Sequence, residues 1–261
     1  MKNTKFLTTL CALVLGWPAG AVADELRPGT EQAGRRFSGG MEVTRGDYGQ
    51  SGDTTILYLP LSYRTGEGPW TYGVTVPWIS VDGFGNVTRD LGRYGAQGAR
   101  RSESGLGDIV LSATRALAQA DSALQIDATA KLKLGTASRS KGLGTGEEDL
   151  HFQVEFYGKS GEFTPFVTAG YKVLGDPPGV GLRDVAFLEV GATRQVGATR
   201  TAGLMWHGQE RAVAGGKAQS ELTAYYQVRL DVEWSAQLYG LVGLSDGSPD
   251  LGGGAFLIRR F

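Results

Sequence analysis

Two histidines, His151 and His207, are the residues best suited to act as a general base. Hydrolysis with a histidine base requires a nucleophile or carboxylate held within hydrogen-bonding reach. His151 is followed by Phe152 and Gln153, so it lacks a serine two positions on, and Gly-Gln follows His207 in the same way. The remaining pairing, His207 with Glu210, has no support beyond its spacing. The sequence therefore predicts no catalytic residue and no enzyme.

The sequence predicts neither a metal site nor a cofactor. Two histidines without an acidic partner two positions on do not form a recognisable ligand set, and the single cysteine, Cys11, lies in the leader described below. The glycine-rich stretch Gly142–Gly146 lacks the Lys-Ser/Thr of a phosphate loop. With 26 basic and 27 acidic residues, the chain is also too close to neutral for a nucleic-acid binder.

The charged residues alternate with apolar ones, and this alternation predicts strands. The clearest segment is Ser122–Leu134, where a strand would sort the residues perfectly onto two faces and a helix would scatter them. Its apolar face carries Leu124, Ile126, Ala128, Ala130, Leu132 and Leu134, and its polar face carries Gln125, Asp127, Thr129, Lys131 and Lys133. Leu150–Tyr157 and Ser220–Leu230 repeat the pattern.

Nine further segments keep the same period, which gives about twelve strands, an even number as in bacterial single-chain barrels. They are Arg36–Thr44, Thr54–Arg64, Trp70–Ile79, Asp108–Leu117, Phe163–Val173, Val185–Arg194, Thr201–His207, Trp234–Leu244 and Leu251–Phe261. Their connections alternate between long and short, as expected for extracellular loops and periplasmic turns. The prediction is an all-β fold, a transmembrane antiparallel up-and-down β-barrel over residues 24–261.

The first residues have the layout of a secretory signal peptide. Lys2 and Lys5 precede the apolar run 6–15, and Ala21-Val22-Ala23 gives a small-x-small cleavage site. We therefore expect residues 1–23 to be removed. The mean hydropathy of −0.16 and the shortness of every apolar run disfavour a helical membrane protein, which leaves closed strands as the way to satisfy the backbone in lipid.

Aromatic residues near strand ends and the last residue support this location. Such rings favour the lipid–water interface, and the examples on the apolar face are Trp70, Trp78, Trp206, Trp234, Tyr63, Tyr171 and Tyr226. A terminal Phe261 on an alternating last strand resembles the signal read by the barrel-assembly machinery of Gram-negative bacteria. The sequence predicts the cell outer membrane, with its lipids, lipopolysaccharide and that machinery as partners.

The polar faces of the strands would line the lumen. In a barrel of this size the interior is narrower than in 16–18-stranded porins, so inward charges either line a thin passage or cross-link into a plug. The predicted lumen and constriction residues are Asp127, Lys131, Lys133, Glu155, Glu221 and Arg229. The densest stretch, from Asp127 to Lys133, is the predicted constriction.

Three passages resemble one family. They are Gly105–Asp108 opening a strand, Lys131–Gly135 entering a loop, and Gly142–Gly146 with Asp149 leaving it. In these passages the chain is similar to the outer-membrane proteins associated with the MetA pathway of phenol degradation, although a proline common in that family is absent after Leu134. The resemblance implies a barrel over the whole mature chain and a transporter-like role near the breakdown of aromatic compounds.

Two functions follow as expectations. The first is passive passage of small solutes, aromatic or otherwise poorly polar, across the outer membrane. The alternative is a structural or surface-interaction barrel that acts through the predicted loop Ser80–Gly107. The side chains that would meet lipopolysaccharide phosphates there are Arg89, Arg93, Arg100 and Arg101 with Phe84 and Tyr94.

Overall fold

The computed structural model describes residues 34–94, 99–118, 122–158 and 162–261. The predicted signal peptide and the predicted turns at 120–121 and 159–161 lie outside these residues. Within the described ranges, no helix has the length and apolar character needed to cross a membrane.

Strands make up most of the described chain. They are β1 (Arg35–Gly46), β2 (Thr54–Glu67), β3 (Trp70–Phe84), β4 (Val87–Thr88), β5 (Gly92–Arg93), β6 (Arg100–Leu106), β7 (Val110–Ala116), β8 (Leu124–Lys133), β9 (Asp149–Gly158), β10 (Phe163–Val173), β11 (Val185–Gly197), β12 (Arg200–Gln209), β13 (Gln219–Arg229), β14 (Trp234–Gly243) and β15 (Leu251–Arg260). One 3-10 turn, Arg139–Lys141, lies between β8 and β9.

The strands form a closed antiparallel barrel of twelve strands, as the sequence predicts. Each strand pairs with its neighbours in the chain, and β1 closes the barrel against β15 over ten residue pairs from Arg36↔Arg260 to Arg45↔Leu251. β6 and β7 together count as the fourth strand of the barrel, because both pair with β3. The short β4–β5 hairpin is separate from the barrel sheet.

Pro77 accounts for the division between β6 and β7. A proline has no N–H to donate to the ladder, so a strand pairing with it is interrupted there. Thr75 pairs with Val110 and Trp78 with Leu106, which leaves one extra residue on the β6–β7 side, a β-bulge. The N–H of Gly107 bonds instead to the carbonyl of Pro77 at 2.9 Å.

All twelve predicted strands are present, with ends that move by a few residues. The prediction for Ser80–Gly107 as one loop is wrong, because β3 continues to Phe84, β6 occupies Arg100–Leu106 and a hairpin lies between them. The strand predicted from Asp108 corresponds to β7, which is only the lower half of the fourth barrel strand. The alternation of apolar and polar residues is weak in β6, because most of its residues are glycine, serine or arginine.

The outer surface of the barrel is apolar and the inner face is polar. Leu124 and Phe152 are 48% and 50% exposed, whereas Lys131 and Lys133 are buried. Six of the seven tryptophan and tyrosine residues named above, such as Trp78 and Tyr171, are exposed on this outer surface. An exposed apolar surface of this extent is stable against lipid and unfavourable in water.

The two ends of the barrel differ in the length of their connections. At one end lie the loops L1 (47–53), L2 (85–99), L3 (134–148), L4 (174–184), L5 (210–218) and L6 (244–250). At the other end the shortest turns span only 68–69 and 198–199. By the rule for bacterial barrels, the loop end is extracellular and the turn end, where β1 begins and β15 ends, is periplasmic.

Candidate functional site

The lumen is the candidate site, and most of the predicted residues face into it. Asp127, Lys131, Glu155 and Glu221 are all buried on the inward face of their strands. Asp127 accepts a hydrogen bond of 3.1 Å from the Tyr157 hydroxyl. Asp127 and Glu155 are directly opposite one another in the β8–β9 pair. The inward face therefore holds charges of both signs at low solvent exposure.

Lys133 connects loop L3 to the barrel wall through hydrogen bonds and ion pairs. Its Nζ lies 3.0 Å from Asp149 Oδ2 and 3.2 Å from Asp108 Oδ2. The same ammonium donates to Thr145 Oγ1 at 3.2 Å and to the carbonyl of Glu147 at 3.0 Å, both in L3. A lysine with four oxygen partners is held as a structural cross-link, and its charge is neutralised where L3 meets the lumen.

Arg229 corrects one lumen prediction. It has the inward parity of β13 but is exposed, because the strand ends at this residue and the periplasmic turn begins. It lines a small polar pocket with Gln227 and Arg260 at the turn end. Parity alone could not show how far along the barrel axis the side chain lies.

An L2 segment folds into the barrel and contacts β1, two strands away from β3, where L2 begins. The tip of the β4–β5 hairpin carries Arg89, which is buried. Its Nε donates to Glu42 Oε1 at 2.7 Å and its Nη2 donates to Glu42 Oε2 at 3.0 Å. The Tyr239 hydroxyl donates to the same carboxylate, and the guanidinium lies 4.2 Å from the centre of the Tyr58 ring. This bidentate pair fixes the hairpin in place.

The other side of the hairpin contacts the β10–β12 wall. Gln209 donates from Nε2 to the carbonyl of Asp90 at 3.3 Å and accepts a hydrogen bond from Lys172 at 2.5 Å. Burial raises the pKa of the Asp90 carboxyl to about 6, against the smaller opposing effect of Arg89. The hairpin thus crosses the lumen, from Glu42 on β1 to Gln209 on β12.

Apolar side chains close the extracellular mouth around this hairpin. We call them the mouth cluster; L1, L2, L3 and the upper parts of β2 and β3 contribute Tyr48, Ile56, Ile79, Val81, Phe84, Val87, Ala137 and Leu143. Arg101 reaches from β6 to the carbonyl of Ser140 in L3 at 2.7 Å. The loops therefore pack as a hydrophobic layer inside the barrel opening, where water would otherwise enter.

Farther down, aromatic rings lie against the inner wall opposite glycines. Five inward rings each face an inward glycine directly across the strand pair, and we call them the ring-lined wall. The pairs are Phe166↔Gly191, Phe187↔Gly170, Tyr225↔Gly203, Tyr239↔Gly254 and Phe256↔Gly40. A Cβ at any of these glycines would collide with the ring it faces. The missing side chains let the rings lie flat along the wall.

The histidines lie on the inward face of this wall. His207 Nδ1 is 2.9 Å from Glu189 Oε1, and the two residues are directly opposed in the β11–β12 pair. His207 lies in β12, two residues before the strand ends at Gln209. His151 is buried on β9, opposite Lys131 and Lys172.

The sequence prediction missed the central contact of the site. Glu42 and Tyr239 have inward parity on predicted strands, so alternation could have included them. Arg89 had no such signal, because its position depends on how L2 folds. Arg89, Phe84 and Tyr94 are buried within the mouth, which corrects their expected contact with lipopolysaccharide. Arg100 remains exposed on the outer end of β6.

No known family model matches the sequence, and no curated protein sequence matches it significantly. Solved structures do resemble it. The COG4313 outer membrane channel from Pseudomonas putida F1 superposes with a TM-score of 0.71 at 13% identity, covering 91% of this chain and 100% of that one. The KdgM porin gives a TM-score of 0.56 at 10% identity, covering 87% and 99%.

The NanC porin has a TM-score of 0.52 at 10% identity, covering 87% of this chain and 98% of that one. Between 98% and 100% of these three neighbouring chains is matched by the present chain. The twelve-strand closure, the outward apolar belt and the near-complete overlap agree on the architecture. The chain has the fold of the outer-membrane β-barrels.

Proposed function

We propose that this protein is an outer-membrane channel for the passive passage of small, poorly polar solutes, with aromatic compounds as the favoured class. The ring-lined wall carries the proposal. Phe166 and Tyr225 belong to a buried cluster in this conformation, and their flat rings would offer stacking and apolar contact to a planar solute that displaces part of this packing. Buried polar groups such as Glu155 and Lys131 line the remaining wall.

The outer surface supports the outer membrane as the location. Residues such as Leu238 and Leu257 face outward along neighbouring strands, and lipid is the environment in which such a belt is favourable. The signal peptide at 1–23 and assembly through Phe261 belong to the same proposal. The Phe261 side chain is 65% exposed and its N–H donates to the carbonyl of Arg35 at 2.9 Å, where the barrel closes.

The proposed constriction is the L2 hairpin rather than the Asp127–Lys133 stretch by itself. Arg89 and Glu42 cross the lumen, and Lys133 supports L3 beside them. A solute would have to pass this hairpin or displace it. Lipopolysaccharide contact stays a proposal for Arg93, Arg100 and Arg101, the members of the predicted set that are not buried.

Uptake by a deletion strain tests the proposal together with conductance in planar bilayers. We expect the strain to take up a small neutral aromatic compound more slowly, with recovery when the gene is restored. A charged solute of similar size should show a smaller difference. Absence of both a conductance and an uptake defect would contradict a channel.

A structural barrel that does not transport solutes is the second candidate, favoured by the mouth cluster. Its buried apolar residues, such as Val87 and Leu143, fill the opening in this conformation. A conductance that stays at the protein-free level after the hairpin is released from Glu42 would support this candidate. We propose no enzymatic role.

A further inference from the structure

The outer surface carries a groove that neither the lumen nor the proposed passage uses. It has a volume of about 560 Å³, within the range of roughly 300–1,000 Å³ found for small-molecule sites. It lies across the outward side of β10–β13. Its lining is apolar apart from Arg194, and it includes Val190, Ala192, Ala202, Leu204 and Trp206.

Small residues create this groove. Ala192 pairs with Leu204, and Ala202 with Arg194, so two outward alanines on adjacent strands leave the belt shallow here. Trp206 and Leu222, which are directly paired, close the end toward the extracellular side. The result is an apolar slot open to the surrounding lipid.

Positive charge stands at the periplasmic end of the slot. Arg194 is the charged residue of the lining, and its side chain is 66% exposed, 3.9 Å from the exposed Glu162. Arg200 has the same outward parity on β12, two residues from Ala202, but it lines the small pocket at the turn end and not this groove. From Arg194 up to Val190 the slot runs four residues, or about 13 Å at about 3.3 Å per residue. A charged end and an apolar length match an amphiphile.

We propose that this groove is a binding site for an anionic phospholipid of the inner leaflet. One acyl chain would occupy the slot between Ala192 and Ala202, and the phosphate would lie against Arg194, where a charge-assisted hydrogen bond is available. The orientation follows from the turn end being periplasmic. A bound lipid would fill a surface defect in the belt that ordinary mobile chains pack poorly.

Native mass spectrometry of the detergent-purified protein tests the site, with phosphatidylglycerol and phosphatidylethanolamine added back separately. We expect one tightly retained lipid and a preference for phosphatidylglycerol. Filling the slot with Ala192→Leu and Ala202→Leu should abolish retention, whereas Ala255→Leu, on the outward face of β15, should not. Arg194→Gln should weaken phosphatidylglycerol binding by about tenfold, the loss of one charge-assisted hydrogen bond. Arg115→Gln, another exposed arginine near the turn end, is the matched control.

Three outcomes would overturn the site: no retained lipid in the native protein, equal retention by the slot-filled variant, or a dimer peak that disappears in that variant. A dimer would assign the groove to a second copy of this chain. Correct folding of each variant is checked by the heat-dependent gel shift of the barrel. The readout does not involve solute passage, so a barrel without conductance would leave this proposal standing and refute only the proposed function.

Discussion

At the mouth of the barrel, loops distant in sequence meet inside the opening, and an ion pair between residues 47 positions apart, Arg89 and Glu42, fixes the central hairpin. On the ring-lined wall, each ring instead faces a glycine on an adjacent strand, as with Tyr225 and Gly203. The mouth is therefore built from long-range contacts that can be released together. The ring-lined wall is part of the β-ladder and can change only if the barrel does.

The largest change in conductance is expected from Glu42→Ala. Removing this carboxylate leaves the buried Arg89 without its bidentate partner, which costs about 3–5 kcal/mol for a buried pair. Since the barrel does not depend on the hairpin, the hairpin should leave the lumen while the strands stay folded. Single-channel conductance should rise, and trypsin should cut in L2 near Arg89.

The matched control for this change is Asp53→Ala, which removes an exposed partner of Arg45 at the same end of the barrel. We expect little change in conductance or cleavage, because exposed ion pairs contribute little. The exchange of Glu42→Arg with Arg89→Glu should restore the closed mouth in part. Unchanged cleavage in Glu42→Ala would show that the mouth cluster alone holds the hairpin.

In the ring-lined wall, Gly203→Leu is expected to lower the stability of the barrel by a smaller amount. The new side chain would collide with the Tyr225 ring, and overpacking of this kind costs about 1–3 kcal/mol. The measurement is the urea midpoint of unfolding from lipid vesicles. Gly240→Leu is the matched control, because a Cβ there meets only the Gly252 carbonyl at 3.9 Å. Equal midpoints for the two variants would show that the ring is free to move.

The smallest expected effect is a pH dependence of the conductance, which arises from the titration of Asp90 in the hairpin. Its pKa of about 6 in the inserted hairpin lies above the usual 3.8, so the inserted form binds the proton more tightly than a displaced hairpin does. Insertion is therefore stabilised as the pH falls through about 6 and is weakened above it. Conductance should decrease between pH 7 and pH 5.

Asp90→Asn should remove this dependence, because the amide does not titrate and has nearly the same shape. Arg89, Lys172, Lys133 and Asp108 are the charged groups that act on the carboxyl, and none of them is changed by the substitution. A pH profile that persists in Asp90→Asn would assign the titration to another group.

Much of the barrel could be predicted because strand alternation is a local property. Leu124 and Phe152 face outward and Lys131 and Lys133 inward, as their parity requires. The same rule placed Asp127 and Glu155 in the lumen. The rule did not show that Arg229 is exposed at the turn end, because parity gives the face of a strand and not the position along the barrel axis.

The sequence by itself determined the strand number, the apolar outer face and the sign of each inward charge, because a pleated strand repeats every two residues regardless of its partners. Only the tertiary structure decided that L2 folds inward, that Arg89 meets Glu42 and that Lys133 binds L3. These contacts join positions far apart in the chain, and no local pattern fixes which loop enters the lumen. The slot beside Arg194 also depends on register, because Ala192 and Ala202 become neighbours only when β11 and β12 pair.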